Sequence, residues 1–291
     1  RERFLRPAIA GEKIGALGIT EPGAGSDVAS IRTRADKVDG GYVVNGAKTV
    51  ITNGVRADFL VCACKTTPDG GHHGISFLIL ERDMPGFEVA RKLEKLGWQA
   101  SDTAELSFTD VEVPDANLLG PENGGFYLIM ANFQWERLLM ALGAVGAMSR
   151  LLEVTIAYSL EREAFGRAIG HFQVLRHKLA EIGVKLEASR ALTYHALREF
   201  IAPEAERREA IARRDWGHPS IGAGLQEVTK AKLLTQRAAV EVADDCLQIH
   251  GGYGYMREYG IERALRDLRL GPIGGGTDEV MKEILGRQLG L

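Results

Sequence analysis

The strongest constraint on the fold is a change of hydrophobic period near residue 120. Between residues 12 and 118, short apolar and β-branched runs alternate with turn signals such as Asp39-Gly40 and Asn53-Gly54. After the Pro- and Gly-containing stretch 121–125, the apolar residues recur at helical spacing over long segments. Strands without intervening helices predict an antiparallel sheet or barrel of about six to eight strands. The later segments predict an up-and-down helical bundle, so the chain is expected to be α+β.

This pattern places a middle β domain at 11–120 and a helical bundle domain at 121–291. The predicted helices cover 126–163, 172–200, 225–249, 261–270 and 278–289. Gly251 is expected to end the third helix, and Thr277 to cap the last one. Residues 201–222, which contain two prolines and many charges, are expected to form an exposed connection.

Composition excludes several classes of protein. The chain has 291 residues, of which 45% are hydrophobic, and a net charge of -3, which does not suit binding to nucleic acid or to an anionic membrane. Three cysteines are too few for a disulfide framework, and none stands at metal-ligand spacing. Cys62 and Cys64 are expected to be buried on one face of a strand. No apolar run is expected to be long enough to span a bilayer, and no targeting signal is visible.

Two segments far apart in the sequence suggest a reaction centre. Glu136 lies in the first half of the long apolar helix, where a carboxylate in apolar surroundings has a raised pKa and can act as a general base. Near the C-terminus, residues 272–277 form a turn rich in glycine that leads into a helix. The alternative interpretation of Glu136 is a solvated helix carboxylate paired with Arg137 or Arg150.

Four shorter motifs indicate ligand contacts only in combination. Residues 19–27 form a Gly-rich loop whose backbone can approach a ligand closely, although an ordinary loop is the better explanation of this motif taken alone. Residues 48–54 form a strand that closes in an Asn-Gly turn. Arg162 offers donors suited to phosphate, with Phe165 expected on the same helix face. Residues 248–255 add an amide and glycines beyond a helix, where His250 is interpreted as a capping or core residue.

Taken together and in this order, these motifs resemble the FAD-dependent acyl-CoA dehydrogenases. The resemblance rests on Thr-Glu-Pro-Gly-Ala-Gly-Ser-Asp at 20–27, Ile-Thr-Asn-Gly at 51–54, Ala-Phe-Gly at 164–166, Gln-Ile-His-Gly-Gly-Tyr-Gly at 248–254 and the turn before Thr277. It covers essentially the whole chain. The residues around Glu136 and those at 275–283 are most similar to the long-chain and isovaleryl-CoA branch.

The resemblance implies a role for each matched position. Most of the family carries its catalytic glutamate where this chain has Gly275, whereas the long-chain and isovaleryl branch carries it at the position of Glu136. The backbone N–H of Gly275 would still serve the substrate carbonyl. Matched to the flavin, its phosphates or its adenosine end are Leu17, Ile19, Thr20, Ser26, Thr52, Arg162, Phe165, Gln173, Gln248, Gly252, Thr277 and Glu279. Ser26 and Arg137 also match positions near the CoA part of the substrate.

The expected reaction is dehydrogenation of a medium-chain, long-chain or branched acyl-CoA to the trans-2,3-enoyl-CoA, as in fatty acid β-oxidation. The resemblance implies electron-transfer flavoprotein as acceptor, assembly as a homodimer or as a homotetramer built from two dimers, and the bacterial cytoplasm or the mitochondrial matrix as location. It also implies a helical domain before the β domain, of which 1–10 would be the tail. Val50 stands where the family often has an aromatic residue beside the flavin.

Two alternatives to the dehydrogenase remain open at this point. An acyl-CoA oxidase or flavin monooxygenase on the same fold would use oxygen in place of the flavoprotein. A non-catalytic scaffold or binding protein would keep the fold without taking up FAD.

Overall fold

The computed structural model describes residues 1–291, which divide into two compact units, 1–130 and 131–291. The first unit is mainly β-sheet and begins with a short helix, α1 (Leu5–Ile9). The second unit is helical. This order of a strand-rich part followed by helices confirms the predicted α+β class.

The first unit contains one sheet of eight strands in the spatial order β6-β7-β3-β2-β4-β5-β8, with β1 beside β4. The strands are β1 (Gly15–Gly18), β2 (Arg34–Val38), β3 (Gly41–Thr52), β4 (Phe59–Lys65), β5 (Ile75–Glu81), β6 (Phe87–Lys92), β7 (Thr103–Pro114) and β8 (Leu118–Leu119). The prediction of a purely antiparallel sheet is wrong, because β4 pairs in parallel with both β1 and β2. The segment between β1 and β2 is long enough for the chain to return, so that β2 also runs parallel to β4.

The core of this unit lies on β3, β4, β5 and β7. Tyr42, Leu60, Leu78 and Leu106 are almost completely buried there. β4 is buried on both faces, which explains why its sequence is apolar without alternation. Its two thiols are both buried with their sulfur atoms 3.7 Å apart, so the expectation of buried cysteines on one face is confirmed.

The second unit is built on three long helices, α2 (Gly125–Glu161), α3 (Gln173–Ile201) and α6 (Leu225–His250). α2 begins six residues before the boundary between the units. The shorter elements are the hairpin of β9 (Glu163–Ala164) and β10 (Arg167–Ala168), and the helices α4 (Glu204–Arg213), α5 (Pro219–Gly222), α7 (Ile261–Leu268) and α8 (Asp278–Gln288). Apart from the hairpin, α4 and α5, these elements match the predicted helices to within a few residues.

The ends of two helices confirm the predicted capping residues. The Thr277 hydroxyl accepts a hydrogen bond from the Val280 N–H and begins α8. Gly251, with φ of 58°, follows α6 and ends it. A residue in this left-handed conformation closes a helix at low cost only when it lacks a Cβ.

Residues 201–222 are helical in part, which corrects the expected exposed connection. α4 and α5 form within them, and Arg207 of α4 is buried. Its guanidinium donates hydrogen bonds to the carbonyl oxygens of Phe200 and Ser220 at 2.8 and 2.9 Å. The high density of charged residues suggested a solvated loop, but one of these arginines ties the segment to the end of α3.

α2 is long and apolar enough, by length and composition alone, to cross a bilayer. The expectation that no run of the chain reaches this limit is therefore wrong. The core helix of a folded domain passes the same test. Leu138, Ala141 and Met148 of α2 are fully buried within the helical unit.

Val50 interrupts β3 in a conformation that β-branched residues rarely adopt. Its φ is 57°, and the pairing of β3 with β7 shifts register between Lys48 and Ile51. The Val50 side chain is 58% exposed, so burial of its methyl groups gives little compensation for the backbone strain. This strained bulge stands where the resemblance places the flavin ring.

We expect Val50→Gly to stabilise the protein. Glycine removes a cost of about 1–2 kcal/mol for the left-handed backbone conformation. It also destabilises the folded state by roughly 0.5–1 kcal/mol, because the unfolded chain gains entropy. The free energy of unfolding, measured by chemical denaturation, should rise by up to about 1 kcal/mol. Val43→Gly, in the regular part of the same strand, is the control and should be destabilising. Equal losses of stability in the two variants would contradict the assignment of strain to Val50.

Candidate functional site

The carboxylate of Glu136 is held in the first half of α2 within the helical unit. The side chain is half-buried, and its Oε1 accepts a hydrogen bond of 2.6 Å from Asn132 Nδ2, one helical turn earlier. Burial raises the pKa of Glu136, while the Asn132 hydrogen bond and the charge of Arg137 act in the opposite direction. The raised pKa expected from the sequence is therefore present.

The two arginines considered as partners of Glu136 have other partners. Arg150 forms an ion pair with Glu153 at 2.9 Å. Arg137 is only 6% exposed, and its Nε donates a hydrogen bond of 2.8 Å to the carbonyl oxygen of Gly275. Burial lowers the pKa of Arg137, but a guanidinium remains charged in proteins. A salt-bridged surface carboxylate is therefore not what the structure shows at Glu136.

The glycine turn lies against Met140 of α2 and Met281 of α8 in a backbone conformation that favours glycine. Gly275 and Gly276 have φ of 63° and 97°, which favours glycine at both. A Cβ at Gly275 would lie 2.7 Å from Sδ of Met140, and one at Gly276 would lie 2.7 Å from Cε of Met281. A glutamate at 275 would therefore collide with Met140 unless that side chain moved.

Helical spacing connects this turn to Glu136. Met140 follows Glu136 by four residues, so both project from the same face of α2. Because Met140 contacts Gly275, Glu136 stands one helical turn from the glycine turn, on the side that faces it. The N–H groups of Gly275 and Gly276 donate no hydrogen bond within the chain, so both are unpaired donors in the glycine turn.

A second buried cation holds the same turn. Lys232 of α6 has no exposed side-chain surface, and its Nζ donates a hydrogen bond of 2.6 Å to the carbonyl oxygen of Gly276. This residue was not predicted from the sequence. The signal was present, because Lys232 lies four residues after Val228 and three before Thr235, and both of these are fully buried on α6.

Beyond Glu136 and the turn, the helical unit contains a surface cleft of about 520 Å³ at the end of α6. Arg162 and Gly252 line it together, with the Arg162 guanidinium 5.5 Å from the ring centre of Tyr253. Gln248 is exposed near the end of α6, and Gln173 is exposed at the start of α3.

Phe165 corrects one prediction about this region. α2 ends at Glu161, and Phe165 lies between β9 and β10 with φ of 53°, so Arg162 and Phe165 do not share a helix face. The Phe165 ring is 97% exposed. The turn signal was Gly166, whose φ of 77° completes the reversal between the two short strands.

His250 is a core residue, as the sequence indicated. It is 4% exposed, its Nδ1 lies 2.7 Å from the Cys246 carbonyl oxygen, and its ring stacks on Tyr158 at a centroid distance of 4.3 Å. Thr277 and Glu279 stand at the N-terminus of α8. Hydrogen bonds from the backbone and from Thr277 lower the pKa of Glu279 there, which keeps it ionised.

In the sheet unit, the loop after β1 carries most of the predicted flavin contacts. Leu17 lies in β1, Ile19 is buried, and Thr20 accepts a hydrogen bond of 2.9 Å from the Thr49 N–H through its carbonyl oxygen. Thr52 is exposed at the end of β3, and Ser26 is exposed in the loop. The fold therefore places Thr20 beside the last residues of β3, so the loop of residues 19–27 and the segment 48–54 lie together.

The Gly-rich loop has open space above its glycines. A Cβ at Gly23 or Gly25 would meet no heavy atom within 4 Å, so packing inside the chain does not require glycine there. Glycine without an internal packing reason suits close approach of an external group to the backbone. This open cradle and the exposed hydroxyls of Ser26 and Thr52 fit a phosphate-bearing cofactor.

A buried ion pair that was not predicted from the sequence anchors this loop. Lys48 Nζ lies 2.8 Å from Glu21 Oε1 and donates a second hydrogen bond of 3.1 Å to the Ile19 carbonyl oxygen. Glu21 also accepts hydrogen bonds from the N–H groups of Arg32 and Thr33, and its pKa is lowered, since the charge and hydrogen bond of Lys48 outweigh burial. Removing one partner of such a pair leaves a buried charge and costs about 3–5 kcal/mol.

We expect Gly275→Ala to destabilise the protein. The methyl group would contact Met140 in a left-handed backbone conformation, so the free energy of unfolding should fall by about 1–3 kcal/mol. Gly143→Ala is the matched control on α2, where an added Cβ meets no atom within 4 Å. Alanine in a helix is favoured over glycine by roughly 0.5–1 kcal/mol, so this variant should be more stable. A neutral Gly275→Ala in thermal unfolding would contradict the packing described for the turn.

Comparison with known proteins agrees with these features. Residues 16–111 match the family model of the acyl-CoA dehydrogenase middle domain, and residues 123–290 match that of the C-terminal domain. The chain is 41% identical to mitochondrial isovaleryl-CoA dehydrogenase of Oryza sativa subsp. japonica, with 99% of this chain and 66% of the relative covered. It is also 41% identical to mitochondrial long-chain specific acyl-CoA dehydrogenase of Sus scrofa, with 99% and 63% covered.

A solved structure gives the same result. The crystal structure of a probable acyl-CoA dehydrogenase from Mycobacterium abscessus has a TM-score of 0.90 and 45% identity, with 99% of this chain and 72% of that chain covered. The chain thus spans slightly less than two thirds of the length of the plant and pig relatives. FAD is the cofactor of this family. On both domain matches and on these relatives, the chain belongs to the acyl-CoA dehydrogenase family.

Proposed function

We propose that this chain supplies the catalytic and flavin-binding parts of an FAD-dependent acyl-CoA dehydrogenase, with Glu136 as the base that removes the α-proton. The observation that carries the proposal is the half-buried carboxylate of Glu136, one helical turn from Met140, which packs on the Gly275 turn. The substrate would be a medium-chain, long-chain or branched acyl-CoA thioester. The similarity to isovaleryl-CoA and long-chain dehydrogenases supports this class of substrate.

In this mechanism the carboxylate takes the α-proton and becomes a neutral acid. The burial that raises the pKa of Glu136 favours this protonated product. FAD held by Thr20, Ser26 and Thr52 would supply the acceptor for the β-hydrogen as hydride, so that the substrate would lose a proton and a hydride and gain a double bond. Asn132 fixes the carboxyl through its hydrogen bond to Oε1, which restricts the side chain to one orientation.

An α-proton of a thioester is weakly acidic, so the developing charge on the carbonyl oxygen must be stabilised. The free N–H of Gly275 is the donor that this chain offers beside Glu136. Loss of one such donor typically lowers kcat by about 10²–10³-fold. Because the donor is backbone, the absence of a side chain at 275 does not remove it.

Residues of each unit match flavin contacts in the family resemblance. Thr20, Ser26 and Thr52 would hold it by their hydroxyl and backbone groups, and Leu17 and Ile19 would lie beside the ring. Arg162, Phe165, Gln173, Gln248 and Gly252, in line with the family resemblance, would reach the FAD of a neighbouring copy, so we expect a homodimer or a homotetramer. Thr277 and Glu279 would contact the adenosine end.

The CoA part of the substrate would meet Ser26, which is exposed in the open loop. Arg137 was predicted at the same part of the substrate. Its guanidinium is buried and bound to the Gly275 carbonyl oxygen, which suits a positioning role better than a CoA contact. The electrons would pass from the flavin to an electron-transfer flavoprotein.

A second candidate function is an acyl-CoA oxidase, and the exposed Val50 favours it. This side chain leaves the strand surface open where the family often has an aromatic residue. Oxygen could reach a flavin bound there more easily than in a covered site. Consumption of oxygen on addition of acyl-CoA, at a rate equal to flavin turnover, would identify the oxidase, and its absence would favour the dehydrogenase.

The decisive variant for the proposed function is Glu136→Gln, which keeps the shape of the side chain and removes the base. With FAD bound, the parental protein should lose its flavin absorption when acyl-CoA esters of graded chain length are added. The variant should reduce its flavin at least about 10²-fold more slowly, since a general base contributes roughly 10²–10⁴-fold. In the parental protein the rate should fall as pH decreases through the raised pKa of Glu136, because only the carboxylate accepts a proton.

Glu153→Gln is the control, since this carboxylate lies on the same helix but is exposed and paired with Arg150. It should reduce its flavin at the parental rate. Near-parental reduction in Glu136→Gln with FAD bound would remove Glu136 from the mechanism. A colourless protein that takes up no FAD would instead favour the non-catalytic alternative.

A further inference from the structure

The sequence of the glycine turn constrains its backbone conformation very little, because residues 274–276 are all glycine. Glycine has the widest backbone freedom of any residue, so a triplet would sample many orientations of its N–H groups. The turn nevertheless has a defined geometry in this chain. Backbone hydrogen bonds hold its two ends, with Gly274 N–H donating to the Leu270 oxygen at 2.8 Å and Asp278 N–H to the Pro272 oxygen at 3.0 Å. Between these ends, side chains from two other helices bind the carbonyl oxygens of Gly275 and Gly276.

Two buried cations bind these carbonyl oxygens from two different helices. Arg137 of α2 donates to the Gly275 oxygen at 2.8 Å, and Lys232 of α6 donates to the Gly276 oxygen at 2.6 Å. Each carbonyl shares a rigid peptide plane with the next N–H. The two hydrogen bonds therefore fix the planes on either side of Gly276. The Gly275 N–H lies in the preceding plane, which joins this fixed segment to Gly274, whose own N–H donates a hydrogen bond of 2.8 Å to the Leu270 carbonyl oxygen.

The closest oxygen to the Lys232 ammonium is the Gly276 carbonyl oxygen and not a carboxylate of α8. A cation beside the N-terminus of a helix opposes the helix dipole. Asp278 Oδ1 lies 4.0 Å from Lys232 Nζ and is buried without a hydrogen-bond partner, so the ammonium points at the Gly276 oxygen in preference to the carboxylate. Arg237 faces the other oxygen of Asp278 at 3.9 Å.

We propose that Lys232 is a positioning residue for the reaction, which acts by fixing the Gly275–Gly276 turn so that the Gly275 N–H stays in place for the substrate carbonyl. The inference rests on the proposed function for its catalytic consequence. The fixing of the turn itself is independent of that function. Arg137 contributes the second fixed point from the helix that carries Glu136.

Burial of Lys232 makes its hydrogen bond to the Gly276 oxygen dependent on pH. It lowers the pKa of Lys232 to about 8, although Asp278 and Glu279 favour the charged form, and Arg137 adds to the lowering. Above this pH the neutral amine is a weaker donor to the Gly276 oxygen than the ammonium. The turn should therefore loosen in mildly alkaline solution, whereas Glu136 loses its activity on the acidic side.

The first test measures hydrogen exchange, which needs neither FAD nor activity. In Lys232→Met, amide exchange of a peptide covering 272–281 should become at least about tenfold faster at pH 7, because the turn loses one fixed point. Lys230→Met is the matched control, since Lys230 is exposed on the same helix. Unchanged exchange of 272–281 in Lys232→Met would show that Lys232 does not fix the turn, whether or not the protein proves to be a dehydrogenase.

The second test uses the FAD-loaded protein and acyl-CoA. Lys232→Met should lower kcat by about 10–100-fold with little change in KM, since small displacements of catalytic groups cost this much. The decline of kcat above about pH 8 in the parental protein should disappear in the variant. Lys230→Met should keep the parental kcat and pH profile.

A third variant separates charge from hydrogen bonding and covers the case in which Lys232→Met does not fold. Lys232→Gln keeps an N–H donor without charge, and it should have intermediate exchange and no alkaline decline of kcat. Faster exchange together with parental kcat would overturn the positioning role. If Lys232→Met exchanges faster than the parental protein but the parental protein has no dehydrogenase activity, the proposed function is refuted, whereas the fixing of the turn by Lys232 is supported.

Discussion

The hydrogen bond between Arg137 and the Gly275 carbonyl oxygen joins the two segments on which the proposed chemistry depends. It connects α2, which carries Glu136, to a turn 138 residues later in the sequence. Arg137 is buried, and the turn that it binds lies against Met140 of the same helix. A carboxylate and a free N–H are thereby held on the same side of one helix, in surroundings that raise the pKa of the carboxylate.

Much of the fold could be predicted from the sequence, because it is encoded locally. The switch from strand to helix period located the long helices, and Thr277 and Gly251 marked two of their ends correctly. The parallel pairing of β4 with β1 and β2 could not be predicted, since it depends on how a long connection folds back. Phe165 was misplaced because a turn at Gly166 ends the helical pattern that the preceding residues suggested.

The site was predictable only in residues whose type or motif indicates chemistry. Glu136 and the glycine turn were recognised by their residue types and by resemblance. Lys232, Met140 and the Lys48–Glu21 pair were missed because their importance lies in what they contact, and sequence does not give those contacts. Buried charges in apolar segments were the available signal: Lys232 stands on the apolar face of α6, and Lys48 in the strand β3. Both hold backbone carbonyl oxygens of segments proposed to bind cofactor or substrate.

The most direct test of the central claim separates proton removal from hydride transfer. An acyl-CoA analogue with sulfur in place of the β-carbon can lose its α-proton but has no β-hydrogen to transfer. With the FAD-loaded protein in D₂O, we expect deuterium to enter the α-position of this analogue with the parental chain and not with Glu136→Gln, although both bind it. Deuterium uptake at the parental rate in Glu136→Gln would show that another group removes the α-proton.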